Sequence, residues 1–320
     1  MTTHSAGPAT IEVQRAGRYC DFMSFSREGD SADTVDSGER VMKGIYTPSP
    51  RPTFARPTHI KRQDAVRHIW GDPTSKEVAD WIYVSSERIH ALVFELEPHG
   101  AFLHSPNHRT VFGADELLYV LSGVMAIANP ETGEVQRIEA GESVFFRRDT
   151  WHHAFAHGEG SLRVLELFAP PPAAGASGAY AQTRPYLDAS KYAQDELFGH
   201  LTPSGSSEQT LWPLDRRDIV WRRDLGVLVG LYASTEHLTV GCIEVDPGQL
   251  ATVHAHGGDE ILFVTEGELT VRAWQAGEVS VFELTPDSAC YLPIASRHEY
   301  RNFGDTTARA LFGVAPSYLE

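Results

Sequence analysis

The sequence predicts an all-β protein built as two tandem barrels, and three observations carry that prediction. Short apolar or alternating runs recur along most of the chain, such as ALVFELEP, ELLYVLSG and LRVLELF in the first half and LTVGCIEV, EILFVTEG and ARALFGVA in the second. Runs of this length, bounded by turn residues such as NPETGE, read as strands. The second half also repeats the first. FELEP (94–98) lines up with IEVDP (243–247), DELLYVLSG (115–123) with DEILFVTEG (259–267), and AGESVFFRRDTWHHAF (140–155) with PDSACYLPIASRHEYR (286–301). Three anchors in one order at nearly one offset mean an internal duplication. Between the halves lies APPPAAGASGA, a stretch too rich in Pro, Ala and Gly to sustain a strand or a long helix.

Taken in order, residues 1–59 read as an extended N-terminal arm, polar and acidic in SREGDSADTVDSGER and proline-rich in TPSPRPTFARPT. Residues 60–169 form the first barrel and residues 214–320 the second, with a linker over 170–213. Within the linker, DASKYAQDELFGH predicts a short interdomain helix, capped by Asp188 or Ser190 and ended by Gly199.

Composition narrows the function. The chain has 320 residues, 42% of them hydrophobic, which is enough to form the cores of two domains. A net charge of −16 argues against nucleic acid and anionic membranes as partners, since both reward Lys and Arg. Cys20, Cys242 and Cys290 are too few and too scattered for a disulfide framework or a thiolate zinc site. The start MTTHSAGPAT lacks the basic and apolar regions of a signal peptide, and no apolar stretch is long enough to span a bilayer. A soluble cytoplasmic protein follows as the expectation.

The chemistry concentrates in GQLATVHAHGGDEILFVTEG and in PIASRHEYRN. His254 and His256 are two residues apart in a segment that reads as a strand, so their side chains leave one face. Glu260 follows a Gly257–Gly258 turn, and His298 comes later. Three imidazoles and a carboxylate are side chains that bind a divalent transition metal. Gly248, His254, His256, Glu260 and Gly267, followed by Pro293, His298 and Asn302, have the order and spacing of the two cupin motifs. Asp287 and Ala295 stand where that pattern has turn glycines. The chain therefore resembles the cupin superfamily over both halves, from about residue 60 to the C-terminus. The resemblance implies two double-stranded β-helix (jelly-roll) barrels, with one divalent metal per chain on His254, His256, Glu260 and His298.

The first half keeps less of the motif. Glu116 and Gly123 retain their spacing and His152 matches His298, but Thr110 and Phe112 fall where the paired histidines would be. Arg147, Asp149 and Ala156 replace the motif's Pro, Gly and Asn. His104 and His108, in a lengthened loop, are alternative ligands that would rebuild a site with Glu116 and His152. Otherwise they are ordinary loop residues and the first barrel is a scaffold. His90, His153, His157 and His237 read as solvent-facing or hydrogen-bonded.

Strand alternation places Leu250 and Thr252 on the ligand side with His254, Leu262 and Val264 with Glu260, and Tyr300 and Asn302 with His298. Tyr300 is the candidate proton donor, and Arg272 holds a substrate carboxylate only if it points inward. The resemblance spans several activities. The leading expectation is a non-haem iron dioxygenase cleaving a small phenol, enol or diketone, with Fe(II) as the metal. The alternatives are a non-redox isomerase, lyase or hydrolase of a small polar acid using Mn, Zn or Ni, and a binding or storage protein without turnover. A homo-oligomer is expected, with a small molecule as partner.

Overall fold

The computed structural model describes residues 49–171, 180–194, 201–202 and 209–319. The predicted arm lies almost wholly outside the described residues, as do Cys20 and much of the linker. Strands dominate the described residues, with a short 3-10 turn at Arg62–Asp64 and helical backbone at Tyr180 and Ala181. Each half folds a seven-stranded sheet onto a smaller one. In the first half the large sheet runs Trp212–Leu214, Ser143–Phe146, Asp115–Ser122, Leu162–Ala169, His90–Leu96, Lys76–Ser85, Val66–Asp72. In the second it runs Thr58–Lys61, Ser288–Leu292, Asp259–Glu266, Ala308–Ala315, Thr239–Val245, Val227–Ser234, Val220–Asp224. The smaller sheets hold Ala101–Phe102, His153–Ala156, Val124–Ala128 and Val135–Glu139 in the first half, and Glu278–Leu284, Leu269–Gln275 and Arg297–Arg301 in the second. All pairings are antiparallel, as a jelly roll requires.

The outermost strand of each large sheet comes from the other half. Thr58–Lys61, which precedes the first barrel, pairs with Ser288–Leu292 of the second. Trp212–Leu214, which precedes the second, pairs with Ser143–Phe146 of the first. Each exchanged strand covers an edge that would otherwise expose unpaired backbone groups.

Three apolar clusters follow from strand alternation. One fills the first barrel around Ile82, Phe94, Leu118 and Phe146. A second fills the second barrel around Val229, Leu262, Val271 and Phe312. The third lies between the barrels and draws on both, with Tyr83, Val93, Leu117 and Leu165 against Val240, Ile261, Phe263 and Leu311. Residues on the two faces of one strand thus serve two different cores: Leu262 faces inward, and Ile261 and Phe263 face the neighbouring barrel. The Tyr83 hydroxyl donates to the Asp287 carbonyl at 2.9 Å, and Arg163 donates to the carboxylates of Glu95 and Asp287.

The interdomain helix is corrected. Asp188 lies in a bend and Ser190 in no regular element, and Ala193–Gln194 forms a short strand with Leu201–Thr202, while residues 195–200 lie outside the described residues. Tertiary contacts outcompete weak local helix propensity there. The Tyr192 hydroxyl meets His153 Nδ1 at 2.7 Å, the Lys191 N–H donates to Pro130, and the Leu187 carbonyl accepts from His104. The two turn positions that lack the motif's glycine keep a glycine-like backbone all the same, with φ of +66° at Asp287 and +62° at Ala295.

Candidate metal centre

His254 and His298 are brought together by backbone pairing. The segment 251–258 is not a strand; it runs as an irregular loop pinned at one isolated bridge, His254 to His298, with both N–H···O=C bonds made at 2.9 and 2.8 Å. A further bond from the Ala295 N–H to the His256 carbonyl fixes the second histidine against the turn before His298. Glu260 enters from the strand Asp259–Glu266.

Each imidazole is oriented by its own backbone acceptor. Nδ1 of His254 donates to Thr252 O at 2.8 Å, Nδ1 of His298 to Ser296 O at 2.9 Å, and Nδ1 of His256 to Tyr318 O at 2.6 Å. A carbonyl only accepts, so all three rings carry their proton on Nδ1 and aim an Nε2 lone pair elsewhere. Those three nitrogens lie within 4.8 Å of one another. Glu260 Oε2 stands 3.0 Å from His298 Nε2 and 3.7 Å from His256 Nε2. Two of these buried atoms, His254 Nε2 and Glu260 Oε2, have no hydrogen-bond partner. Unpaired buried acceptors are costly unless something electropositive sits between them. The donor set therefore fits a divalent transition metal.

Charge states agree with that use. Burial, with His298 beside it, lowers His254 to about 4, which keeps its imidazole neutral. Burial works to raise Glu260, but His298, His256 and His254 together bring it down to about 2, so it stays a carboxylate. The Tyr300 hydroxyl donates to Glu260 Oε1 at 2.8 Å and lies 2.9 Å from His298 Nε2. Burial, followed by the Glu260 charge, pushes the Tyr300 phenol well above its ordinary value, so it holds its proton. His254 is the one partly exposed imidazole, so the centre opens on its side.

The expected lining is only partly in place. Leu262 and Val264 are fully buried near Glu260, but Leu250 is 47% exposed and lines nothing. Asn302 closes a turn by donating to Val245 O and Thr306 O. Arg272 lies outward over Trp274, 3.7 Å from Glu299, and is in no position to receive a substrate carboxylate.

A contact from the first barrel supports the centre and had no sequence signal. The Ser86 hydroxyl donates to Asp259 Oδ2 at 2.7 Å; Tyr291, the Ile294 N–H and, at 3.5 Å, Arg88 also meet this carboxylate, which adjoins Glu260 in the chain. The first barrel receives the same support in return, from Thr235 Oγ1 to Asp115 Oδ2 at 2.7 Å, beside Glu116.

In the first barrel His152 and Glu116 do meet, at 3.9 Å, and Glu166 joins them. His104 and His108 do not. His104 is taken by His153 and the Leu187 carbonyl, and His108 lies 3.1 Å from Asp72. Glu166 was missed, although it is an acid in the otherwise mostly apolar strand Leu162–Ala169. His90 is buried, not solvent-facing, and stacks on Phe168 with 4.5 Å between ring centroids. His153 is buried and hydrogen-bonded as expected, and His237 pairs with Glu236.

Comparison with known proteins agrees with this geometry. The cupin domain family matches the chain twice, over residues 92–168 and 241–314. Two Streptomyces proteins match over 78 residues, 24% of this chain: polyketide synthase CurC of Streptomyces cyaneus, 33% identical over 48% of its length, and tetracenomycin polyketide synthase protein TcmJ of Streptomyces glaucescens, 36% identical over 50%. The matched stretch thus spans about half the length of these relatives. Among solved structures, a mutant of OxdC, an oxalate decarboxylase of Bacillus subtilis, superposes with a TM-score of 0.57 at 13% identity, covering 85% of this chain and 81% of that one. An oxalate decarboxylase of Lactobacillus farciminis in a formate complex reaches 0.58 at 14% identity, covering 87% and 90%. At such identities the likeness is one of fold. With two family matches on two superposable barrels, the chain is a two-barrel protein of the cupin superfamily.

Proposed function

We propose that the second barrel is the active site of a one-metal enzyme acting on a small oxygenated organic molecule, a phenol, enol or diketone. The observation that carries this is the convergence of three Nε2 lone pairs, each fixed by its own backbone carbonyl, beside an unpartnered carboxylate oxygen. The polyketide synthase names of the two Streptomyces relatives support a keto or enol substrate.

His254, His256, Glu260 and His298 would hold the metal, which supplies a Lewis acid for a substrate carbonyl or enolate oxygen. Tyr300 keeps its proton beside Glu260 and is placed to deliver it to a substrate atom that gains charge. Leu262, Val264 and Phe312 are buried around the ligands and exclude water, which strengthens every polar contact inside. The same apolar surround favours a second reading, an iron(II) dioxygenase of the same substrate class. Mn, Zn or Ni belongs to the non-redox reading. The acidic composition supports a soluble protein without nucleic acid or an anionic membrane as partner.

The test joins metal analysis to turnover. Protein purified without oxygen, beside His256→Ala, is assayed by mass spectrometry for metal and with acetylacetone in an oxygen-electrode cell. About one metal per chain, absent from the variant, is expected. Turnover without oxygen supports the Lewis-acid reading, and oxygen uptake equal to substrate loss supports the iron dioxygenase. Wild-type protein free of metal would overturn both.

A further inference from the structure

The first barrel contains a cavity that the metal centre does not explain. Its position in the fold identifies what has changed there. The His152 N–H donates to Thr110 O, and the Asp149 N–H to Phe112 O; in the second barrel the corresponding bonds run from His298 to His254 and from Ala295 to His256. Thr110 and Phe112 therefore occupy the places of His254 and His256. Strand register adds one more exchange. Glu116 pairs with Phe168 as Glu260 pairs with Val314, so Glu166 stands where the second barrel has Phe312. Two imidazoles have been lost from the ligand positions and a carboxyl has been gained on the opposite wall.

The replacements make a different kind of site. Phe112 lies nearly parallel to Phe168, at 13° and 6.0 Å between centroids, and His90 stacks on Phe168's ring as well. Trp70, Phe94 and Phe102 add aromatic edges. Among the described residues no Lys or Arg lines the cavity. Thr110 Oγ1 and His90 Nδ1 on its wall make no hydrogen bond, nor does Oε2 of Glu116, which groups with the lining residues His152 and Glu166; these residues are 1%, 3% and 1% exposed. Glu116 and Glu166 come together with His152, one nitrogen or carboxylate oxygen from each lying within 4.8 Å of the others. Burial raises both, Glu116 well above its ordinary value and Glu166 to about 7, and burial with Glu166 nearby also raises Asp80. Burial lowers His152 to about 4 and His90 to about 3, so both imidazoles are neutral. Below about pH 7, the value to which Glu166 is raised, protonated acids and neutral imidazoles offer donors and acceptors without net charge.

We propose that this cavity is a metal-free binding site for an uncharged, flat organic molecule that slots against the Phe112–Phe168 rings and hydrogen-bonds to Thr110, His90 and the Glu116–Glu166 pair. The site is independent of the metal centre and does not rest on the function proposed for it. A phenol is the simplest molecule of this class, with a π-face for the rings and a hydroxyl that both donates and accepts.

The probe is 4-fluorophenol, followed by 19F NMR on the full-length protein, with fluorobenzene as the analogue lacking the hydroxyl. Saturable binding near a dissociation constant of roughly 1 mM is expected for a fragment of this size, and it persists in His256→Ala, which removes any phenol binding at the metal centre. Glu166→Leu is expected to weaken it tenfold or more, and the isosteric Thr110→Val about threefold, while fluorobenzene binds at least tenfold more weakly than the phenol. Metal content should not fall in Glu166→Leu. Absence of binding to the wild type would overturn the proposal. So would binding lost in His256→Ala, or equal affinity for the two probes. A second metal per chain that disappears in Glu166→Leu would also refute it. If Glu166→Leu does not fold, Thr110→Val decides, and an unchanged affinity there counts against the proposal.

Discussion

The two barrels share a fold, a register and even a pattern of mutual support, yet they present opposite chemistry at equivalent positions. Each carries an Asp-Glu pair on the third strand of its large sheet, and in each the Asp accepts from a hydroxyl of the other barrel, Ser86 to Asp259 and Thr235 to Asp115. The second barrel surrounds its Glu with imidazoles, which keep it ionised. The first surrounds its Glu with aromatic rings and a second carboxyl, which keep it protonated. The same backbone position thus becomes a charged carboxylate or a neutral hydrogen-bonding group according to its neighbours. Fold and function separate at this scale, because what decides a carboxyl's state is its local surroundings.

The largest effect that would break the contrast comes from the ligands. His254→Ala or His256→Ala should remove at least nine-tenths of the bound metal while Glu116→Gln leaves it unchanged; an equal loss in both would mean that the barrels are chemically alike. Tyr300→Phe should lower turnover on the order of 10²-fold with metal content retained, as read from kcat and metal analysis on one sample. A loss of metal instead would make Tyr300 a structural residue.

A third prediction concerns pH. A carboxyl raised by the fold stabilises the folded state fully below its unfolded value, and that contribution disappears as pH rises through the folded value. For Glu166, beside Glu116, Asp80 and His152, the window runs from its ordinary 4.5 to about 7. Each unit of pKa is about 1.4 kcal/mol, so the loss is on the order of 3 kcal/mol. Denaturant unfolding from pH 5 to 8.5 should show stability falling across that window, and less steeply in Glu166→Gln. Next, Ser86→Ala should weaken metal binding in the second barrel about 10-fold, although Ser86 belongs to the first. The smallest expected effect is at Ala295, where φ is +62°. Ala295→Gly should stabilise by about 1 kcal/mol, measured by thermal unfolding, because a Cβ is strained in that region.

What could be read without coordinates follows a physical rule. Strand alternation and the internal repeat announce two β barrels, because apolar period and turn chemistry are local properties of the chain. The grouping of His254, His256, Glu260 and His298 was legible because metal ligation demands particular side chains at spacings that one fold allows. Glu166 was not, since its meeting with Glu116 depends on how Leu162–Ala169 pairs with Asp115–Ser122, which no local pattern encodes. Ser86 was invisible for a similar reason, being 173 residues from Asp259. The helix expected after Asp188 failed because weak propensity lost to contacts with the barrel wall.

The swapped edge strands bear on how this chain comes apart. Cutting the linker after residue 171 would leave Thr58–Lys61 on one fragment and its partner Ser288–Leu292 on the other, with Trp212–Leu214 and Ser143–Phe146 divided the opposite way. A nicked protein should therefore migrate as an intact particle in native gels and separate only in denaturant. Either half made alone would present a bare sheet edge and half of the inter-barrel core to solvent, and would aggregate. The duplicated halves have ceased to be interchangeable modules, and from there on each has diverged as part of the other's structure.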